Sequence, residues 1–200
     1  MRCHYNLLDS ETYEAYLQVA HFTEDPEDYE TADEVWVKSK QWELAGTAMK
    51  DYCARHPGPQ SQERYLLYLA RVLLRKGDLE ECWRYLSQVS KKSTNAQYPV
   101  LRAQYALALG KQRTAYRWFQ RIPLEARHQR HNPVFLFLLS DLGRKGELHD
   151  LAQDRLNYVQ HWGSAGEVPL ALTAQAVAYL FLGDVQKAKE NFHQVSDHPL

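Results

Sequence analysis

Cysteine is scarce in this chain. Cys3, Cys53 and Cys82 lie far apart among 200 residues. No C-x-x-C pair occurs, so the spacing encodes neither a disulfide framework nor a four-cysteine zinc site. A reducing, cytoplasmic setting is the expectation. Charge of one sign is not in excess either. Lys and Arg number 24 against 25 Asp and Glu, a net charge of −1, which gives no overall attraction to phosphate backbones. Apolar runs such as Val134 to Leu139 fall far short of the roughly 20 residues that span a bilayer. The start, Met1 to Asn6, lacks the apolar core of a secretory signal, and no membrane insertion is expected. A phosphate loop, a nucleophile elbow and an H-E-x-x-H pair are all missing, so a non-catalytic role without cofactor or metal is expected.

What the chain has is apolar residues, 44% of the total, arranged at spacings of three and four. That is the mark of amphipathic helices, and the fold class expected is all-α. Residues 1–28 read as a helix starting after Asp9 or Ser10, with Tyr13, Tyr16, Leu17 and Ala20 inward, closed by an acidic loop at Pro26. Helices follow over Tyr29–Ser39 and Gln41–Arg55, the latter ended by His56-Pro57-Gly58-Pro59. The pattern then gives Gln62–Lys76, Leu79–Ser90, Tyr98–Leu109 and a helix from Gly110 to Ile122. Residues 124–132 form a basic linker. Pro133 opens a helix that is apolar nearly all round, the character of a middle layer covered on several sides. The last three helices are Glu147–Trp162, Val168–Leu182 and Val185–Val195.

Glycine is sparse (9 residues) and periodic. Turns at Gly77, Gly110, Gly146 and Gly183 lie 33, 36 and 37 residues apart, and stepping back 34 from Gly77 reaches Glu43. A helix-turn-helix unit at that period predicts stacked pairs, because one pair cannot bury its apolar stripe alone. Ala176-x-x-Tyr179, Gly183-Asp184 and Ala188-x-x-x-Phe192 make the fullest unit. Ala115-x-x-x-Phe119 and Ala48-x-x-x-Tyr52 repeat its second half, and Ala70 and Ala103 hold the small place in earlier first helices. The small residues let helices approach and the aromatic fills the gap. Over residues 29–200 the chain resembles the tetratricopeptide repeat family. The resemblance implies a right-handed α-solenoid of antiparallel pairs with about four to five repeats. It also implies a protein-interaction scaffold, adaptor or chaperone.

In that family the first helix of each pair lines the inner groove. The resemblance places Arg64, Leu67, Arg71, Leu74, Gln97, Val100, Gln104, Leu107, Thr173 and Val177 there, with Leu136, Ser140 and Leu180 beside them. Such a face suits an amphipathic helix or an extended apolar segment of a protein partner. A rival reading is RNA binding through the basic stretch 113–130, where Arg113, Arg117, Arg121, Arg127 and Arg130 flank Trp118. The weaker metal candidates are Cys53 with His56, Cys3 with His4, and His128 with His131. Each lacks further ligands at useful spacing. Phe181 and Val195 would lie near the surface of the last pair, which makes the C-terminal end a candidate for self-association or a longer assembly.

Overall fold

The computed structural model describes residues 2–123, 133–159 and 168–196. Among them there are helices and turns but no strands. The chain divides into two compact units, Met1–Ala108 and Leu109–Leu200.

The first unit comprises α1 (Arg2–Thr23), α2 (Pro26–Lys38), α3 (Thr47–Arg55), α4 (Pro59–Lys76), α5 (Leu79–Gln88) and α6 (Gln97–Ala108). Helices adjacent in sequence pack on each other, and α4 also meets α6. Helix α1 begins well before Asp9 and Ser10, so neither residue caps it. It ends where Glu24 turns left-handed (φ 55). Asp25 then caps α2 by accepting from the Glu27 amide at 2.8 Å, and Pro26, which needs no amide partner, takes the first turn. The core joins Ala20, Tyr29, Ala32, Trp36, Met49, Tyr68 and Val72, with Trp42 and Tyr52 packed against it.

The expected helix from Gln41 to Arg55 is shorter than its pattern. Residues 40–46 form turns, with Lys40 at φ 60 and Gly46 at φ 104, and α3 starts only at Thr47. The first amides of α3 are taken by Asp33 of α2. Its carboxylate accepts from the Ala48 and Met49 amides, each at 3.0 Å. Gly46 is required by conformation and by space. A Cβ there would lie 2.7 Å from Leu69 Cδ2.

The second unit comprises α7 (Gln112–Phe119), α8 (Pro133–Asp141), α9 (Lys145–Val159), α10 (Val168–Leu182) and α11 (Val185–Ser196). Helix α9 packs on α8 and α10, and α10 packs on α11 and α8. Phe119 and Phe135 meet with ring centroids 4.9 Å apart. Small residues admit close approach elsewhere: Ala171 and Ala174 of α10 cluster with Val159 of α9, and Ala176 and Ala188 are buried.

One turn recurs. The Asp78 amide donates to Leu73 O, the Arg144 amide to Leu139 O and the Asp184 amide to Tyr179 O, each just after a glycine with positive φ. Such an αL glycine satisfies the last carbonyls of a helix. Asp78 and Asp184 then cap the next helix through the amides of Glu81 and Lys187. Gly143, not Gly146, holds this role between α8 and α9. Gly146 is already helical, because the left-handed residue follows directly on the last apolar turn at Leu142. Gly77, Gly110 and Gly143 are thus spaced 33 and 33, with 40 to Gly183.

Candidate functional site

In the first unit the predicted groove face is occupied by its own ion pairs. Arg64 Nε donates to Glu30 Oε1 and Arg71 Nη2 to Glu30 Oε2, both at 2.8 Å. Arg75 Nη1 reaches both oxygens of Glu34 at 2.7 and 2.8 Å. The ladder joins α2 to α4, and Arg71 also lies 4.9 Å over the Tyr68 ring. Arg64 and Arg71 are therefore not open groove charges. The partners Glu30 and Glu34 lie 34 and 41 residues away from their arginines, and a pattern of local spacings does not pair them. Because Glu30 serves two half-buried guanidinia, Glu30→Ala is expected to cost about 1.5–3 kcal/mol in urea unfolding. That exceeds the 0–1 typical of an exposed pair.

The other predicted groove residues of this unit separate by burial. Leu67 and Val100 are buried, at 3% and 5% exposure, so they present no surface to a partner. Their place in the helical stripe is the core side. Leu74, Gln97, Gln104 and Leu107 are half-buried, and the backbone N–H of Gln97 donates to Asn95 Oδ1.

The second unit presents a different face. Phe137 is 56% exposed, Leu180 47% and Val134 40%. Phe137 and Phe181 meet edge to face with centroids 5.0 Å apart, which sets the exposed side of α8 beside α10. Thr173 is exposed and Val177 half-buried on the same helix as Leu180. Ser140 is exposed, whereas Leu136 is fully buried and belongs to the core. Helix α8 is thus not covered on all sides. Its composition alone does not reveal which side stays open, because every side is apolar. Phe181 and Val195 are half-buried, and Phe192 is exposed at 42% instead of filling the gap under Ala188.

Chemistry-bearing residues elsewhere are engaged structurally. Cys53 Sγ donates to Ser61 O at 3.2 Å, and burial raises its thiol pKa. His56 lies on the Tyr52 ring at 4.7 Å. Burial pushes the Cys82 thiol up to about 11. Among the described residues no group of three or more His, Cys, Asp or Glu could hold a metal. The side chains of Cys3 and His4, and residues His128 and His131, fall outside them. Glu81 is paired with Arg84. On α7, Arg113 and Arg117 are exposed, while Arg121 lies 4.6 Å over Trp118. Arg127 and Arg130 lie outside the described residues. A recess of about 360 Å³ between α9, α10 and α11 is lined by His149, Gln153, Tyr179 and Lys187 among others. Its lysine is already tied to Asp184 at 3.0 Å. No helix among the described residues is long and apolar enough to cross a membrane.

No protein-family model matches the chain, and no curated protein matches it significantly. Its fold is similar to the crystal structure of BtubC (BKLC) from P. vanneervenii. The TM-score is 0.54 at 14% identity, covering 97% of this chain and 92% of the other. At that identity the likeness speaks for fold alone.

Proposed function

We propose that the chain is a right-handed α-solenoid of four to five tetratricopeptide-like helix pairs and works as a non-catalytic scaffold or adaptor. Its ligand is a protein or peptide segment, an amphipathic helix or an extended apolar stretch, bound in a cytoplasmic setting. The solenoid reading is supported by helices that pack on their sequence neighbours and by the glycine turn recurring at 33 residues. The observation that carries the binding reading is the exposure of Val134 and Phe137 on α8 and of Leu180 on α10, two helices that meet through Phe137 and Phe181. Large apolar side chains held together in water mark interaction sites. In the first unit the corresponding face is neutralised by its own Glu and Arg residues. The proposed contact surface is therefore narrower than the ten-residue groove and centres on α8 and α10, with Thr173 and Val177 at its side.

The test is capture from the native extract, with and without nuclease, by the natural sequence and by Phe137→Glu with Leu180→Glu. Both positions are about half exposed, so the circular-dichroism spectrum and melting temperature should hold while a recurrent protein partner is lost, a fall of at least tenfold in bound material. Capture that survives the double substitution contradicts the reading. Capture that vanishes with nuclease instead moves the function to RNA and to Arg113 and Arg117.

A further inference from the structure

The arginines of the first unit's ladder meet glutamates, but Arg155 of α9 does not. It is 6% exposed, and its Nε and Nη1 are buried with no hydrogen-bond acceptor. On the same helix Leu151, Ala152, Leu156 and Val159 are buried with it, and Leu151, Ala152 and Val159, at spacings of three and four, share its face of the helix. Desolvation lowers its pKa, the effect expected of a cation withdrawn from water. A guanidinium stays charged at any physiological pH and brings five donors and no acceptor. Holding it there is unfavourable unless an anion supplies what is missing.

We propose that Arg155 anchors a carboxylate-binding site in the second unit, and that the carboxylate is an acidic group of the bound polypeptide. The source of the carboxylate rests on the scaffold reading above; the site itself does not. The choice of carboxylate follows from charge. A planar carboxylate matches the guanidinium fork with two parallel hydrogen bonds, and the resulting pair is neutral among leucines and valine. A phosphate carrying nearly two charges leaves excess negative charge in the same apolar setting. The sequence carries a signal for this residue, namely one basic side chain inside the stripe Leu148, Leu151, Ala152, Leu156, Val159.

The experiment uses the whole chain and three salts at matched ionic strength: sodium chloride, acetate and phosphate. Acetate at tenfold excess over its dissociation constant should raise the melting temperature by roughly 3–6 °C. It should also shift the Arg155 Nε resonance, while phosphate at the same concentration does less. Arg155→Met should abolish the acetate response and melt no lower than the natural sequence in chloride, since an apolar side chain suits the site at least as well. Equal behaviour in acetate and chloride overturns the proposal, as does an acetate response that persists in Arg155→Met. A phosphate response as large as that of acetate overturns the carboxylate assignment. A lower melting temperature for Arg155→Met in chloride means the guanidinium has an acceptor within the chain, which also overturns it. None of these readouts needs the partner. A positive acetate result with unimpaired capture by the Phe137→Glu, Leu180→Glu variant sinks the scaffold face and leaves the anion site standing.

Discussion

Phe119→Ala is expected to lower the unfolding free energy by about 3–5 kcal/mol, the range for deleting a fully buried aromatic. Phe119 is 2% exposed and Phe135, its ring partner, is 0%. Their centroids are 4.9 Å apart, and Tyr116 stacks on Phe119 at 6.4 Å. Truncation leaves a void against rigid helix faces, because Ala115 one turn earlier has no volume to fill it. Urea denaturation of the two proteins reads the difference directly. The control is Phe192→Ala, whose ring is 42% exposed and should cost less than about 1 kcal/mol. Equal losses at the two sites contradict the packing described for α7 and α8.

The second large effect is at Asp33. Asp33→Ala removes the acceptor of two buried amides at the start of α3, at roughly 1–3 kcal/mol each and about 2–6 in total. The same carboxyl sets a pH dependence of known sign. Burial raises it from an ordinary value of 3.8 to about 6, and the amides of Met49 and Ala48 only partly oppose that. Between those values the folded chain keeps a proton that the unfolded chain has released. Its contribution to stability is therefore fully present below about pH 4 and is lost as pH rises through about 6, some 3 kcal/mol across the window. Urea midpoints at pH 4, 5, 6 and 7 should show a downward component that Asp33→Asn removes. An unchanged slope in Asp33→Asn means that the carboxyl titrates normally.

Much of this fold is legible in the sequence because helix stripes and turn glycines are local signals. The turns at Gly77 and Gly183 fall where the residue chemistry puts them, whereas Pro26, read as part of a closing acidic loop, instead opens α2 three residues before the expected start at Tyr29. Legibility fails where a distant group decides. Residues 41–46 carry a helical spacing, yet Asp33 fixes the start of α3 at Thr47 and Gly46 turns left-handed against Leu69. Gly143 and Gly146 are both admissible turn residues, and only the placement of Leu142 and the backbone bonds to Leu139 and Ser140 choose between them.

The functional face is less legible for the same reason. Arg64 and Arg71 look like free charges until Glu30 is brought to them from another helix. Leu67 and Val100 look like groove residues until the stripe is seated, which takes them inward. Leucine patterning reports that a side is apolar, not whether a neighbour covers it. Phe137 and Leu180 illustrate this, since their exposure depends on how α8 and α10 are turned.

The most direct test of the scaffold account is hydrogen–deuterium exchange on the full chain with and without its captured partner. The account predicts slowed exchange in α8 and α10, centred on Phe137 and Leu180, with α4 unchanged because its arginines are already paired. Protection confined to α7 around Arg113 and Arg117, with α8 and α10 unchanged, would contradict it.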